Sequence, residues 1–413
     1  MSFGRCEACF VNILQLVEAD ISEARMNILM VHPHDLFDRS EPWTIRIVSI
    51  ARELVQAGHS VKLCYFPLLL DEEHCPKTLD LIELIPLERR PSLTAFSRNV
   101  RKLIELAGWA DVVHFQKCHH YAAIPAVIAA YLKGKPLHYD WDDWEEKIWY
   151  ESCGRGLHSR FIGVSFKILE RVLPLLSDSV SCASEGLKQL TLRLGVKEEF
   201  VFDAPVGADL AKFTPQLCGD AIREKNGILK GEQLVLYIGQ LHGAQYVDLF
   251  IKAANIILHR CSHVKFMIVG EGFMEWKLRQ MVNELGLEKK VIFTGSIAHD
   301  EIPFYTAAAT VCVAPFKDTA VTRCKSPLKI VEYMASGKAI VASNVGEVSK
   351  MLGGVGILTP PGDFHAMAEA IILALGAPEL RRHLQEASRR RAELKYNWAQ
   401  TAASLLTAYV KIT

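Results

Sequence analysis

The feature that most constrains this chain is an alternation of short apolar runs with amphipathic stretches, which starts twice along the sequence. Asn27–Val31 and Val61–Tyr65 have the composition of buried strands, and residues 44–57 between them have helical spacing. Strands separated by helices favour βαβ units and a parallel sheet. The same pattern continues in predicted strands at Asp111–Phe115, Leu137–Tyr139 and Ser179–Ala183.

Residues 203–215 interrupt this pattern with two prolines and one glycine, which predicts an irregular connection. The alternation then resumes, so the sequence indicates two successive α/β domains with a cleft between them. Ligands of such sheets bind outside the carboxyl ends of the strands, and we therefore expect the functional site in the cleft. The predicted strands of the second half are Leu234–Ile238, Val264–Val269, Val291–Thr294, Thr310–Ala314 and Ala339–Ala342.

Charge and composition exclude several classes of function. Basic and acidic side chains balance at 47 each, so no global charge favours nucleic acid as a partner. No apolar run reaches the ~18 residues of a membrane-spanning helix. Residues 1–25 lack the layout of a secretory signal and read as an N-terminal extension. We therefore expect a cytoplasmic protein.

The eleven cysteines fit a reducing compartment. Cys64, Cys182 and Cys312 stand in apolar surroundings and read as core thiols. Cys6 and Cys9 form one C-x-x-C pair without a second pair near it, whereas zinc normally needs four ligands.

The segment from residue 324 to 341 is the most informative part of the sequence. Pro327 suits the first turn of a helix, and Ser326 suits its cap. The free N–H groups at such a helix start form an anion site, and Lys325 and Lys329 add positive charge beside it. Glu332 lies further along an otherwise apolar helix, where it is either an exposed residue or a ligand for a hydroxyl pair such as a ribose.

An acidic cluster follows the predicted strand Leu137–Tyr139. Alternation places Asp140 and Asp142 on one face of an extended segment, and closely spaced carboxylates shift each other's pKa values. Such groups often take part in chemistry, so Asp140 and Asp142 are candidate catalytic carboxylates. The alternatives are a polar turn anchored by two tryptophans, or a metal-binding D-x-D motif.

Histidines cluster at the end of the strand Asp111–Phe115, where sites form in parallel sheets. His119 is the candidate catalytic residue among them, and the alternative for each histidine is a hydrogen-bonded surface group. The adjacent His119 and His120 have poor spacing for zinc.

Residues 160–176 combine large apolar side chains with sparse cations. This pattern is typical of an amphipathic helix that contacts a lipid surface, and also of a helix buried between two domains.

The stretch Ser-Pro-Leu-Lys-Ile-Val-Glu-Tyr-Met-Ala-Ser-Gly-Lys at 326–338 resembles the donor-site signature of retaining glycosyltransferases of family 4, which have the GT-B fold. Further segments occur in the family's order, so the resemblance covers about residues 26–410. These segments are Gly207-Ala-Asp with Phe213-Thr-Pro, Tyr237-Ile-Gly-Gln-Leu, Val269-Gly-Glu-Gly and Phe293-Thr-Gly-Ser.

The resemblance implies how a nucleotide diphosphate sugar would bind as co-substrate, with no further cofactor and no metal. Glu332 would bind the donor ribose, and the main chain after Gly295 would face the base. Gly270 would lie at a strand end that flanks the base. The remaining candidates for donor binding lie around the diphosphate: Ser326, Pro327, Leu328, Lys325, Lys329, Arg323, Gly239 and Gln240.

Two departures from the family pattern concern the donor site. The first glutamate of the family's E-x7-E pair is replaced by Cys324, and a thiol cannot replace a carboxylate that binds sugar hydroxyls. The loop Gly239-Gln-Leu-His-Gly-Ala-Gln-Tyr lacks the arginine and the lysine that the family places on the diphosphate. Their substitutes would be Arg323, Lys325, Lys329 or His242.

We therefore expect an α/β protein with the GT-B fold: two Rossmann-like domains facing across a cleft, and a C-terminal helix that crosses back to the first domain. The predicted parts are an extension (1–25), an acceptor domain (26–205), a donor domain (206–390) and the returning helix (391–413). The resemblance implies retaining transfer of a hexosyl group to a glycan or lipid-linked sugar acceptor in envelope synthesis, with peripheral contact at the inner face of the membrane. It also implies that Asp140, in a cluster similar to an acceptor-side motif of some family members, orients the acceptor. The alternatives are a catalytically impaired sugar-nucleotide-binding scaffold, and a GT-B epimerase or phosphorylase.

Overall fold

The computed structural model describes residues 25–38, 42–70, 75–152 and 156–413. The predicted N-terminal extension, apart from residue 25, lies outside these residues, as does the Cys6–Cys9 pair. The described residues form two α/β domains, each built on one mainly parallel sheet, as the sequence predicts.

The first domain contains an eight-stranded sheet with the order β3-β4-β2-β1-β5-β6-β7-β8, in which only β3 runs antiparallel to its neighbour. Its strands are β1 (Asn27–Val31), β2 (Ser60–Tyr65), β3 (Thr78–Leu79), β4 (Ile82–Pro86), β5 (Val112–Gln116), β6 (Leu137–Trp141), β7 (Ser179–Cys182) and β8 (Val201–Asp203). Its helices are α1 (Ile45–Gln56), α2 (Leu93–Trp109), α3 (His120–Lys133), α4 (Glu145–Ser152), α5 (Leu157–Leu176) and α6 (Glu185–Arg193).

The second domain contains a six-stranded, fully parallel sheet with the order β11-β10-β9-β12-β13-β14. Its strands are β9 (Gln233–Ile238), β10 (Val264–Val269), β11 (Val291–Gly295), β12 (Val311–Ala314), β13 (Ala339–Ser343) and β14 (Ile357–Thr359). Its helices, with those that follow it, are α7 (Asp220–Lys225), α8 (Val247–Leu258), α9 (Glu275–Glu284), α10 (Ile302–Ala308), α11 (Ala320–Cys324), α12 (Leu328–Ala335), α13 (Glu347–Leu352), α14 (Phe364–Gly376), α15 (Pro378–Lys395) and α16 (Trp398–Ile412).

The strand order reverses once in each sheet, and these two points place the functional groups. β1 lies between β2 and β5, and β9 lies between β10 and β12. In open α/β sheets, ligands bind at the carboxyl ends of the strands beside such a reversal. We therefore expect ligand-binding side chains in the segments that follow β1, β5 and β9.

The strands missed at the level of sequence are β3, β4, β8 and β14. β3 has two residues, and β8 and β14 have three each, which is too short for a hydrophobic period to appear. β4 has five residues, but exposed Glu83 interrupts its buried apolar positions. These strands lie towards the outer edges of the two sheets, so their omission leaves the predicted centre of each domain intact.

The C-terminal helix crosses back to the first domain, as predicted. α15 packs on α12 and β13 of the second domain, whereas α16 packs on α1, β7 and β8. The predicted boundary at residue 391 falls inside α15, and the crossing occurs at Tyr396–Asn397. There the two connections between the domains meet, because the Ala208 N–H group donates to the Tyr396 carbonyl at 3.0 Å.

Helix α5 exposes much of its apolar surface, so the alternative that residues 160–176 are buried between the two domains is wrong. Its inner face packs on α3 and α4 of the first domain. On its outer face Phe161 is 79 % exposed, and Ile168 and Leu175 are each 55 % exposed. No helix in the described part of the chain combines the length and apolar character needed to cross a membrane.

Candidate functional site

The carboxyl ends of β9, β10 and β11 meet in a loop cluster that only glycine allows. The Gly239 N–H group donates to the Val269 carbonyl, and the Gly270 N–H group donates to the Gly295 carbonyl, each at 2.9 Å. Gly239 has φ 146° and Gly270 has φ 136°, in a region that side chains disfavour. A Cβ on Gly270 would overlap the Gly239 carbonyl oxygen. Glycine at these positions therefore lets the two loops pack against each other at close range.

The ammonium group of Lys329 lies against this glycine loop. It is 3.3 Å from Gln245 Oε1 and 4.1 Å from the centre of the Tyr237 ring, and a Cβ on Gly239 would come within 2.6 Å of it. Burial lowers the pKa of Lys329 well below its ordinary value, and the charge of Lys325 lowers it further, against the opposing charge of Glu332. Neither lysine forms an ion pair at salt-bridge distance among the described residues. Burial lowers the pKa of Lys325 as well, against the opposing charges of Asp143 and Glu151.

The structure corrects the predicted start of the helix after β12. Pro327 occupies the cap position with extended backbone, and α12 begins at Leu328. The Ser326 hydroxyl does not cap the helix but accepts a bond from the Val206 N–H group at 3.3 Å. The first N–H groups of an α-helix have no partner within it, so the start of α12 adds donors beside the two lysines.

Two further candidates for donor binding differ in their position. The carbonyl of Gln240 accepts a bond from the Tyr237 hydroxyl at 3.3 Å, which keeps Gln240 in the glycine loop. Arg323 is 65 % exposed, and its guanidinium pairs with Asp318 at 2.6 Å. Among the proposed substitutes for the missing diphosphate cations, Lys329 rather than Arg323 is the one seen against the glycine loop.

Glu332 lies on α12, further from the helix start, and is 5 % exposed. Its Oε1 atom is 2.7 Å from Nε2 of His299, which follows β11. Burial would lower the pKa of His299, but the hydrogen bond and charge of Glu332 raise it above the ordinary value. The alternative that Glu332 is an exposed residue is therefore wrong. Glu332 is a buried carboxylate, and its partner His299 follows β11, which ends at Gly295.

Cys324 occupies part of the contact between the two domains. The Ser184 hydroxyl donates to its carbonyl at 2.6 Å, and Gly186 of α6 packs so closely that a Cβ there would lie 2.8 Å from the thiol sulfur. Burial raises the pKa of Cys324 to about 12, so the thiol stays neutral. The Glu185 N–H group also donates to Glu347 at 3.0 Å. The position of the missing carboxylate is thus filled by a buried neutral group.

Asp140 does not face the cleft, which contradicts its predicted contact with an acceptor. Its carboxylate is fully buried and pairs with both Nε and Nη2 of Arg46 at 2.8 and 2.7 Å. The Ser181 hydroxyl donates to it as well, at 2.6 Å. Although burial would raise the pKa of Asp140, the Arg46 charge holds it well below the ordinary range. With each oxygen occupied by a protein donor, Asp140 anchors α1 to the sheet.

Asp142 belongs to a group of three carboxylates around one buried ammonium. Lys117 is 3 % exposed, and its Nζ lies 2.6 Å from Glu145, 3.2 Å from Asp142 and 3.6 Å from Asp143. Burial alone would lower the pKa of Lys117, but these carboxylates raise it well above the ordinary value. Lys117 also has φ 64°, which is uncommon for a residue with a side chain. The three carboxylates lie close enough together to bind a metal ion, and Lys117 supplies a positive charge among them.

His119 stands at the start of α3 among other rings. Its ring centre is 4.9 Å from that of His34 and 5.1 Å from that of Phe166. Burial lowers the pKa of His119 well below the ordinary value, and the charge of Lys117 acts in the same direction. His119 is therefore neutral near pH 7 and lies beside, rather than within, the carboxylate group.

Two residues of the site, Gln116 and His299, were missed at the level of sequence. Gln116 bridges His32 Nδ1, at 2.7 Å, and Asp142 Oδ2, at 2.9 Å, and His299 contacts Glu332. Gln116 ends β5, and this position is the signal that could have found it. His299 lies four residues beyond β11, and nothing in its local sequence indicates a bond to a residue 33 positions away.

The second domain matches the family model described as glycosyl transferases group 1 over residues 232–376. Alpha-D-kanosaminyltransferase of Streptomyces kanamyceticus is 28 % identical over 193 residues, 46 % of this chain and 48 % of that protein. Alpha-monoglucosyldiacylglycerol synthase of Streptococcus pneumoniae is 27 % identical over 293 residues, 69 % of this chain and 64 % of that protein. The chain thus spans about half to two thirds of the length of these curated relatives.

The fold matches solved structures over 94 % of the chain. Anabaena HepE in complex with UDP-glucose superimposes with a TM-score of 0.72 at 18 % identity, over 94 % of this chain and 100 % of that one. Sucrose-phosphate synthase from Thermosynechococcus elongatus gives a TM-score of 0.71 at 19 % identity, over 94 % and 99 % of the two chains. Residues 232–376 are therefore similar to the glycosyl transferases group 1 model, and the described residues have the GT-B fold.

Proposed function

We propose that this protein is a retaining glycosyltransferase that moves a hexosyl group from a nucleoside diphosphate sugar to an acceptor hydroxyl. One observation carries the proposal: the Nζ atom of Lys329 lies against the Gly239 loop, and Lys325 and Lys329 flank the start of α12. Cations and helix N-termini together favour a phosphate ligand. The group 1 match of the same domain supports a nucleotide sugar as that ligand.

In this proposal the diphosphate binds between the Gly239 loop and the two lysines, and the nucleoside extends towards Glu332. The acceptor oxygen bonds to the anomeric carbon while the bond from that carbon to the phosphate oxygen breaks. The electron pair leaves with the diphosphate, which takes the acceptor proton. Negative charge develops on the leaving group, where fixed ammonium and N–H groups stabilise it most effectively. The family resemblance supports retention of the anomeric configuration.

We propose that the reaction needs no metal ion. In many phosphate sites a divalent cation neutralises the charge that the two lysines would neutralise here. On the acceptor side, the carboxylates suited to a metal already surround the Lys117 ammonium, with Glu145 at 2.6 Å. A metal ion bound there would have to displace a buried ammonium. Asp142 and His119 remain the proposed groups nearest the acceptor, whereas Asp140 acts through the position of α1.

Nucleotide binding is the direct test, and HepE's complex with UDP-glucose makes uridine diphosphate the first ligand to try. We expect one of the uridine, guanosine and adenosine diphosphates to raise the Tm. At a ligand concentration 100 times Kd, binding stabilises the native state by about 2.7 kcal/mol. Replacing Glu332 by alanine should remove most of this shift, whereas replacing the exposed Glu386 of α15 should not. If none of the three diphosphates shifts the Tm, the proposed donor site is wrong.

A second candidate function follows from Cys324, whose neutral thiol replaces a carboxylate that the family uses on the donor sugar. A chain that binds the nucleotide but has lost turnover would act as a sugar-nucleotide-binding scaffold. An assay with radiolabelled nucleotide sugars distinguishes the two. A scaffold would show neither transfer to an added acceptor nor slow hydrolysis of the nucleotide sugar, although the nucleotide would still shift its Tm.

We also propose that the acceptor is an envelope glycan or glycolipid, presented at an anionic membrane surface that α5 contacts. Large apolar side chains follow one face of α5, and Arg160, Lys167 and Arg171 lie on the same helix without acidic partners among the described residues. Its one acidic residue, Glu170, is buried and accepts bonds from the N–H groups of Glu145 and Glu146 instead. The name of the streptococcal relative, which identifies a glycolipid product, supports a lipid acceptor.

Vesicle flotation tests the membrane contact. Each cation near an anionic surface contributes about 1 kcal/mol, so the three cations of α5 should strengthen binding roughly 100-fold when phosphatidylglycerol is added to phosphatidylcholine. Replacing Phe161 and Ile168 together by serine should abolish flotation. Replacing Leu81, which is 83 % exposed elsewhere on the first domain, should leave it unchanged. Equal binding to neutral vesicles, or binding of the double variant, would contradict the proposal.

A further inference from the structure

The contact between His299 and Glu332 is the feature of the donor side that the family resemblance does not explain. The two side chains come from different elements: Glu332 from α12, and His299 from the turn His299–Glu301 after β11. Nε2 of His299 and Oε1 of Glu332 are 2.7 Å apart, which is a short, charge-assisted hydrogen bond. At this distance the ring nitrogen carries the hydrogen, since a carboxylate can only accept.

The surroundings of His299 hold its ring in place. The Phe213 ring, in the connection between the domains, lies 5.7 Å from it, and the His299 side chain keeps 35 % of its surface exposed. Two charged groups face it besides Glu332: Lys212 beside Phe213, and Asp300 on its own turn. Lys212 and Asp300 pair with each other at 2.6 Å, so their charges largely cancel at the ring. Glu332 is therefore its main electrostatic partner.

A carboxylate on a helix can rotate about three side-chain bonds, and fixing them costs free energy when a ligand binds. The bond from His299 fixes one oxygen of Glu332 before any ligand arrives, and leaves Oε2 to accept from a neighbouring hydroxyl. Pre-organised groups bind more tightly because the ordering cost is already met. His299 thus has the geometry to set which direction the free oxygen faces.

We propose that His299 is a positioning residue that aims the carboxylate of Glu332 at the ribose hydroxyls of the donor, and that it thereby determines selection for ribonucleotides. This inference rests on the proposed function, because it assumes that the nucleoside lies at Glu332. Loss of a hydrogen bond to a charged group should weaken ribonucleotide binding about 10- to 30-fold. A nucleotide without the two hydroxyls should be unaffected, since it makes no use of Glu332.

The test compares uridine, guanosine and adenosine diphosphates with their 2′,3′-dideoxy counterparts by isothermal titration calorimetry. We expect the wild-type protein to prefer the ribonucleotide of the right base, and His299→Ala to lose most of that preference by weakening the ribonucleotide alone. His299→Gln, whose amide N–H group can donate to the same oxygen, should recover part of it. His263→Ala, which changes an exposed histidine on the same domain, is the matched control.

The outcomes separate this inference from the proposed function. If the wild-type protein binds no diphosphate, the proposed donor site itself fails. If it binds one and discriminates by the ribose hydroxyls, but His299→Ala keeps that discrimination, then only the role of His299 is overturned. Equal weakening of the ribo and dideoxy forms by His299→Ala would indicate a purely structural contact and would also overturn it. Recovery in His299→Gln shows that the donated bond, rather than the ring, is what matters.

Discussion

Replacing Lys329 by alanine should weaken binding of the nucleoside diphosphate about 10- to 100-fold, because one charge-assisted bond to a phosphate is lost. Its effect on kcat/KM with a turned-over nucleotide sugar should be larger, about 100- to 1,000-fold, since the leaving diphosphate gains charge in the transition state. The ammonium of Lys329 lies against the Gly239 loop, where the family's own cations are missing. Calorimetry gives the affinity, and initial rates give kcat/KM.

The lowered pKa of Lys329 adds a signature that a merely structural lysine would not give. Burial and Lys325 favour the neutral amine in the free protein, whereas a bound diphosphate favours the ammonium form. Binding should therefore take up a proton, and affinity should fall as the pH rises through the pKa of the free protein. The uptake is measured over a pH series above about pH 7, where the terminal phosphate, with a second pKa near 6, is already ionised. Calorimetry in buffers of different ionisation enthalpy detects it.

Arg323→Ala is the matched control for Lys329, because Arg323 is a nearby cation that pairs with Asp318 outside the glycine loop. We expect less than a threefold change in affinity and no change in proton uptake. Equal effects of the two substitutions would mean that general positive charge, rather than the position of Lys329, attracts the diphosphate. An unaffected Lys329→Ala protein would remove the observation on which the proposed function rests.

Replacing Asp140 by alanine should destabilise the first domain by about 3 to 5 kcal/mol, since it leaves the guanidinium of Arg46 buried and unpaired. The lowered pKa of Asp140 gives the direction with pH. Its contribution is complete above the unfolded carboxyl pKa, near 3.9, and is lost as the pH falls through the lower folded value. The destabilisation should therefore be constant across neutral pH. Urea unfolding followed by tryptophan fluorescence measures it.

The exposed pair Arg52–Asp80 provides the comparison, because its charges stay solvated and its partners are 2.7 Å apart as in the buried pair. Asp80→Ala should cost no more than about 1 kcal/mol. Replacing both buried partners by apolar residues, Arg46→Met with Asp140→Leu, should recover much of the loss. If Asp140→Ala destabilises no more than Asp80→Ala, the buried pair does not hold α1 as described.

Much of the fold followed from sequence because buried parallel strands are continuous apolar runs, as in Asn27–Val31 and Val264–Val269, whose predicted and observed bounds agree. The sequence analysis also named the glycines that directly follow β9 and β10. The structure explains them, because Gly239 and Gly270 have positive φ angles that favour glycine. The burial of Asp140 could not be predicted from the sequence. Alternation along a strand gives the face of a side chain, but not whether a guanidinium 94 residues away covers it.

The candidate site shows the same limit. The sequence indicated that cations near Ser326 replace the missing loop residues, yet it offered Arg323, Lys325 and Lys329 without a way to choose. The choice depends on which side chain reaches Gly239, about 90 residues earlier in the chain, and only the packing of α12 on the sheet decides that. His299 was missed for the same physical reason, since its partner Glu332 belongs to another element.

Two connections join the domains, and their arrangement affects how the domains can move relative to each other. Ala208 and Asn397 pair as neighbours, and a Cβ on Gly207 would overlap the backbone of Asn397, so the two crossings lie side by side as one short ribbon. A single connection would let the domains twist and slide as well as open. Two adjacent connections act as a hinge with one preferred axis, so we expect the lysines of α12 and the carboxylates around Lys117 to approach and separate along a single arc.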